Sequence, residues 1–305
     1  MANRHFGNIG DIWKHLPLAE MLAIEKPKRY WESHAGSAGY RLTHSPARDY
    51  GIYRFLAGAP DSIGLASSSF LCLLDGLRTK RGLLKTYPGS PRIAMEMLGN
   101  GCRFLFCDID GRSLKSIKEA AQHLGIPDDN LECVMADGVA TVLRAAASVA
   151  AAEASATLVL IDPCAGDDPF ARTPTRPSPM DAFARAAGAG IKAILWYSFD
   201  SVGQRRACWE GITSSLEQHG VDSTAARLWY GELSLRELDA EDSGFNPGVR
   251  GCGILCGNLT SQATSAGSRL GHELARVYSN VHFPGGASGA LDFRSASLDI
   301  AVMDS

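Results

Sequence analysis

The chain has 305 residues, 45% hydrophobic and 21% charged, which is enough apolar side chain to bury a real core. That excludes a disordered chain and a small domain held together by staples. At about 150 residues per domain the length suits one large domain or two modest ones. Thirty Lys and Arg against 33 Asp and Glu leave a net charge of −3. This argues against a protein whose main work is to grip a long stretch of nucleic-acid backbone, although a local basic patch stays open.

The start, MANRHFGNIGD, has no apolar h-region and no cleavage pattern. The small-apolar run 145–152 breaks at Glu153, well short of the about 20 residues that span a bilayer. No membrane partner and a cytoplasmic location are therefore expected. The eight cysteines sit mostly inside strand-like runs such as CRFLFCD and GCGILCG, which predicts reduced, buried thiols. Cys252 and Cys256 lack the usual two-residue spacing and a second ligand pair, so no metal site is expected.

Along the chain, RYWES before a glycine turn, RFLFCDID and TLVLIDP are short apolar segments with helical material between them, the pattern of a parallel sheet in an α/β domain. Each ends in an acid. Ligands of open parallel sheets collect at the carboxyl ends of the strands, so Glu32, Asp108 and Asp162 are expected to share one crevice. Gly39 and Asp108 lie 69 residues apart, whereas a crossover helix needs only about 20 to 30. A helical insert at 43–92 is predicted, with 1–42 and 93–305 forming the Rossmann-like domain. Within the insert, SSSFLCLLDGLRTKRG has a helical apolar pattern, and YPGSPRIAMEMLGNG is a proline turn feeding an amphipathic helix. GDDPFARTPTRPSP (166–179) follows the Asp162 strand and reads as a lid. IKAILWYS, AARLWYGELSL and GCGILCGNL are later strands, the last two expected as an antiparallel pair at one edge. A helix is predicted from Cys208 to Gly220, and SQATSAGS (261–268) reads as a linker.

Four segments carry chemistry. WESHAGSAGY places a glycine turn, with Gly36 at its centre, straight after a strand, where backbone can approach a ligand. Asp108 ends the next core strand, and a carboxylate there is suited to accept both hydroxyls of a ribose. ADG at 136–138 supplies a third loop with Asp137 and Gly138. In IDPCAG, Pro163 fixes the backbone, so the Asp162 carboxylate and the Pro163 carbonyl can converge on one amine as acceptors. Together they point to the fold of S-adenosylmethionine (AdoMet) enzymes.

HFGNIGDIWKH (5–15), WESHAGSAGYRL (31–42), YPGSPRIAMEML (87–98), the Asp108 strand end, ADG, LIDP (160–163) and LWY (195–197) resemble, in order, the bacterial RlmJ-type 23S rRNA adenine methyltransferases. Those enzymes methylate the exocyclic amine of an adenine. The resemblance covers nearly the whole chain and implies a class I AdoMet-dependent methyltransferase fold. It also implies AdoMet contacts at Lys14, His15, His34, Ser90, Asp108, Asp137 and Gly138, and the catalytic acceptor role for Asp162.

The departures shape the expectation. The family's DPPY motif reads Asp162, Pro163, Cys164, Ala165 here, so the ring that stacks on a flipped adenine is gone, a loss of roughly 1 to 3 kcal/mol of base stacking. Phe170 and Phe199 are the candidates to replace it. HAGAG has become HAGSA. Trp13, Trp196 and Tyr197 are candidates to present a ring face to a sulfonium, with core packing as the alternative, and Tyr197 joins Asp162 and Pro163 in the catalytic set. Cys164 has no His beside it and reads as filler rather than nucleophile.

The expected function is an AdoMet-dependent enzyme redirected to a small molecule. It would either methylate a metabolite amine or cyclise AdoMet itself to azetidine-2-carboxylate or aminocyclopropane-carboxylate with release of methylthioadenosine. rRNA adenine methylation and a silent AdoMet- or RNA-binding protein are the alternatives. The intact Asp162-Pro163 pair speaks against silence.

Overall fold

The computed structural model describes residues 6–163, 168–171, 173, 176–239, 247–283 and 288–298. Cys164, Ala165 and parts of the expected lid, 166–167, 172 and 174–175, lie outside the described residues.

Ten strands are present among the described residues: β1 (Arg29–Glu32), β2 (Gly39–Arg41), β3 (Thr86–Pro88), β4 (Arg103–Asp108), β5 (Leu131–Met135), β6 (Thr157–Ile161), β7 (Lys192–Phe199), β8 (Trp229–Leu235), β9 (Gly251–Gly257) and β10 (Leu291–Ser297). Eight of them form one sheet in the order β10-β8-β9-β7-β6-β1-β4-β5. Strands β5, β4, β1, β6 and β7 are parallel neighbours, while β9 lies antiparallel between β7 and β8, and β10 closes the edge antiparallel to β8. This is the Rossmann-like α/β sheet of a class I methyltransferase fold, with helices on both faces. The expected antiparallel pairing of β8 with β9 is present, but the edge belongs to β10.

The alternation along the central strands sorts the core into two halves. Tyr30, Phe104, Phe106, Leu158, Leu160, Ile194 and Trp196 face one layer; Trp31, Val159, Ile161, Leu195, Tyr197 and Phe199 face the other. Helices Ile9–Glu25, Ser69–Gly76, Ser90–Leu98, Gly111–Leu124 and Ser261–Val277 bury side chains in the first layer, and helices Gly138–Ser148, Pro179–Gly188 and Val202–Gln218 in the second. The last of these is the helix expected from Cys208 to Gly220, begun earlier because Ser201 caps it by accepting from the Gln204 amide.

One sequence reading changes. The segment 261–268 is no linker: it opens the 17-residue helix Ser261–Val277, capped by Thr260. Its Ala263, Ala266 and Gly267 are small because they are buried against the sheet. The first helix, Ile9–Glu25, is buried over most of its circumference, a helix inside the fold rather than on it.

The region 43–92 is helical over Pro46–Arg48, Arg54–Gly58, Ile63–Ala66 and Ser69–Gly76, and the ribbon of β2 with β3 joins its two ends. Its buried Tyr50, Ile52, Phe55, Phe70 and Leu74 merge with Trp13 and Leu16 of the first helix into one core. No helix is long and apolar enough to cross a membrane among the described residues.

Candidate functional site

The carboxyl ends of β1, β4, β5 and β6 open into a cavity of about 320 Å³. The first helix, the β2–β3 ribbon and the start of helix Ser90–Leu98 wall it in. Of the residues singled out from sequence, Lys14, His15, His34, Gly36, Ser90, Asp108, Asp137, Asp162 and Pro163 all line this cavity. Gly138 stands just behind it. A Cβ there would fall 1.7 Å from the Ser33 carbonyl oxygen, so only glycine lets helix Gly138–Ser148 start against the loop after β1.

The Asp108 carboxylate organises the glycine turn. One oxygen accepts the Gly36 N–H at 2.7 Å and the other accepts the Asp110 N–H at 2.7 Å. Gly36 adopts φ +64°, a left-handed conformation that glycine takes without strain. A carboxylate has about four lone-pair sites, so both oxygens keep capacity toward the cavity. Ile109, the next residue, is 83% exposed and lies at the cavity rim, an apolar surface beside the acid.

At the other side, Asp162 is tied to the first helix. Lys14 Nζ donates to Asp162 Oδ2 at 2.7 Å and pairs with Asp11 Oδ1 at 3.1 Å, with the Trp196 ring centroid 5.5 Å away. Burial works against the Lys14 charge, but the two carboxylates outweigh it and hold the ammonium's pKa above its usual value. Burial raises the Asp11 pKa, and Lys14 partly offsets that. The local reason is the helix start. Asn8 caps it by accepting from the Asp11 N–H at 3.0 Å, and Asp11 reaches back to the Gly7 N–H at 2.7 Å, which sets Lys14 one turn on and facing Asp162.

His15 Nδ1 bonds with the Tyr87 hydroxyl at 2.7 Å, while His15 Nε2 is buried without a partner. Burial, with Lys14 adding to it, pushes its pKa well down, so the ring is neutral. The Trp196 indole nitrogen is likewise buried and unpaired. Native proteins leave few such atoms, and both of these belong to residues that line the cavity. Asp137 caps helix Gly138–Ser148 through the Ala140 N–H and pairs with Arg176 at 3.2 Å. Burial pushes its pKa up, but the amide bonds and Arg176 prevail and hold it below the usual value.

Several expectations are corrected by position. Glu32 does not share the crevice: it is 1% exposed and off the cavity wall. In register it pairs with Phe106 and Leu160, so Asp108 and Asp162 stand two residues further toward the carboxyl edge. Tyr197 is not at the site either. Alternation turns it to the opposite face, where its hydroxyl donates to Glu232 at 2.8 Å, and Trp196 takes the cavity side. Phe199 shares that far face, and Phe170 packs over Gly211, so neither ring reaches the cavity. Trp13 is core, its indole N–H donating to the Gly231 carbonyl at 3.1 Å. The rings that do line the cavity, besides His15, His34, Tyr87 and Trp196, are Phe6 and Tyr40, stacked with centroids 4.9 Å apart. Phe6 and Tyr40 sit within HFGNIGDIWKH and WESHAGSAGYRL, two of the motifs that carry the resemblance, which was the available signal. Arg176 fell within the segment read as a lid, and Ile109 had no signal of its own.

No family model matches the chain, and no curated protein does. Among solved structures, it is similar to protein LPL1258 from Legionella pneumophila, assigned to family DUF519, with TM-score 0.65 and 19% identity over 96% of this chain and 98% of that one. The likeness fixes the fold. A Clostridium thermocellum protein described as "putative rRNA-methylase" is similar over 55% of this chain and 79% of its own, with TM-score 0.35 and 11% identity, too slight to build on.

Proposed function

We propose that the cavity binds AdoMet and that the protein is an AdoMet-dependent enzyme acting on a small molecule. The observation that carries this reading is that one cavity of about 320 Å³ is bordered both by the Asp108–Gly36 clasp and by Asp162 with Pro163. The residues present fit the group. Asp108 offers acceptors to ribose hydroxyls, Ile109 an apolar surface to a base, and His15 Nε2 and the Trp196 indole N–H are unpaired buried groups for the polar remainder. AdoMet supplies a sulfonium open to displacement, giving S-adenosylhomocysteine when methyl leaves, or methylthioadenosine and a ring amino acid when its own amine closes on the side chain.

Asp162 accepts a hydrogen bond from the nucleophilic amine and orients its lone pair, with Pro163 beside it. Lys14 keeps Asp162 Oδ2 occupied, so the carboxylate presents its other oxygen. Displacement then depends on holding the nucleophile in line, and positioning supplies most of the rate. The resemblance to RlmJ-type enzymes supports the AdoMet half of this reading, and the lost stacking ring supports a small acceptor.

A second reading, an RNA substrate, is favoured by one observation. Residues 41–92 hold eight Lys and Arg against three Asp and no Glu, in a chain of net charge −3. The ribbon leads from Tyr40 and Tyr87 at the cavity to Arg41 and the exposed Lys80, Arg81 and Lys85.

Incubation with AdoMet alone and mass spectrometry of the products decides among them. Methylthioadenosine far above a no-enzyme control supports cyclisation, and S-adenosylhomocysteine formed only with added small amines supports metabolite methylation. S-adenosylhomocysteine formed only with unmodified rRNA overturns the small-molecule reading. Asp162→Ala is expected to abolish turnover with AdoMet affinity kept within about tenfold.

A further inference from the structure

Beside Asp162 the cavity wall carries donors that the reaction as described leaves unused. Trp196 lines the cavity, and its buried indole N–H has no hydrogen-bond partner. The edge of the ring that bears this group can be placed from its neighbours. A Cβ on Gly10 would stand 3.5 Å from Trp196 Cζ2, the atom bonded to the carbon that carries Nε1, 3.2 Å from Asn8 Oδ1 and 2.9 Å from Val249 Cγ2. Asn8 and Val249 also line the cavity, so the N–H edge of Trp196 lies among wall residues. Asn8 Oδ1 is taken by the Asp11 N–H, while its side-chain NH2 has no partner among the described residues. Lys14 Nζ stands 5.5 Å from the Trp196 ring centroid and 2.7 Å from Asp162 Oδ2, which brings the acid and these donors within the span of one small ligand.

We propose that this end of the cavity is a subsite for an α-amino-acid group, its amine against Asp162 and its carboxylate against the Trp196 N–H and the Asn8 amide. The proposal deepens, and rests on, the reading of an AdoMet-dependent enzyme whose nucleophile is an amine. An indole N–H can only donate, and a buried donor left bare is costly, so the wall gains most from a ligand that brings an acceptor. A plain alkylamine would satisfy Asp162 and leave Trp196 bare. An α-amino acid carries amine and carboxylate on one carbon, and the Lys14 charge lies beside the donors that would hold the carboxylate. The group can come from two sources: the aminobutyrate end of AdoMet, as ring closure requires, or a separate amino acid that accepts methyl. In either case Trp196 and Asn8 determine specificity by touching the ligand and move no proton.

Two substitutions separate the donors from the scaffold. Trp196→Phe keeps a ring and removes the N–H, and Asn8→Asp keeps an oxygen to cap the helix while replacing the amide donor by an acceptor. Calorimetry then compares AdoMet, decarboxylated AdoMet and methylthioadenosine. If AdoMet supplies the group, the wild type prefers AdoMet to its decarboxylated form, and each variant loses about tenfold of that preference. Methylthioadenosine, which has no amino-acid end, should bind the wild type and both variants within about twofold. If a separate amino acid supplies it, AdoMet affinity is the same in all, and S-adenosylhomocysteine forms with α-amino acids in preference to the amines left by their decarboxylation. The variants then raise the amino acid's KM about tenfold, with kcat less affected.

Discrimination for the carboxylate that is equal in wild type and variants, with AdoMet and with added amino acids alike, overturns the subsite and leaves the AdoMet reading intact. Methylthioadenosine affinity that falls in step with AdoMet affinity marks a general loss of the cavity and also overturns the assignment. Absence of AdoMet binding to the wild type overturns both readings.

Discussion

Lys14→Met removes the one charge that holds Asp11 and Asp162 together while keeping most of the side-chain volume. The ammonium lies 2.7 Å from Asp162 and 3.1 Å from Asp11, and all three side chains are 11–14% exposed. At an effective dielectric near 20 those distances correspond to about 6 and about 5 kcal/mol of gross attraction, most of it offset by desolvation. Removing one partner of a buried pair costs about 3–5 kcal/mol, because the other charge is left uncompensated. At about 2 °C per kcal/mol for a chain of this size, the melting temperature should fall by about 6–10 °C at pH 7. The sign of the pH dependence follows. Burial and the Asp162 charge raise the Asp11 pKa and Lys14 opposes them, so without Lys14 folded Asp11 binds a proton more readily than in the unfolded chain, and the variant's deficit is smallest in acid and grows as pH rises through the Asp11 titration. Urea denaturation of wild type and variant at pH 5 and pH 7.5 measures both. A deficit below about 1 kcal/mol at pH 7.5, or one that does not shrink at pH 5, refutes the view that Lys14 is the structural counter-ion of these carboxylates.

Two further substitutions test other parts of the account. Tyr197→Phe should lose about 1.5–3 kcal/mol of stability in urea melts, since a hydroxyl bond to the buried Glu232 disappears, while turnover stays within about threefold; a collapse of turnover alone would return Tyr197 to the site. Gly138→Ala must displace the Ser33 backbone, which lies 1.7 Å from the added carbon, and should cost about 1–3 kcal/mol and weaken AdoMet binding measured by calorimetry.

The parts of the fold legible in the sequence were those where one physical constraint leaves one pattern. Buried parallel strands must be apolar throughout, so RYWE, RFLFCD and TLVLI stood out, and their acidic ends marked the sheet edge where Asp108 and Asp162 meet the cavity. Depth along the edge was not legible. Glu32 reads like the other two acids, and only the strand register shows that it ends two residues short of them. The face of β7 was equally hidden, because alternation in LWY allows either Trp196 or Tyr197 to point at the cavity until a neighbouring strand fixes the choice. Small residues misled at 261–268, where Ala and Gly serve close helix packing instead of a polar connection. The cap at Asn8 with Asp11 three residues on starts the first helix and locates Lys14.

The central claim is that the Asp108 edge of this cavity receives the ribose of AdoMet. Calorimetric titration of AdoMet into the wild type and Asp108→Ala tests it most directly. One binding site in the wild type, weakened about ten- to hundredfold by the loss of charge-assisted hydrogen bonds in the variant, is the result predicted. No binding to the wild type, or equal affinity in the two proteins, would contradict it.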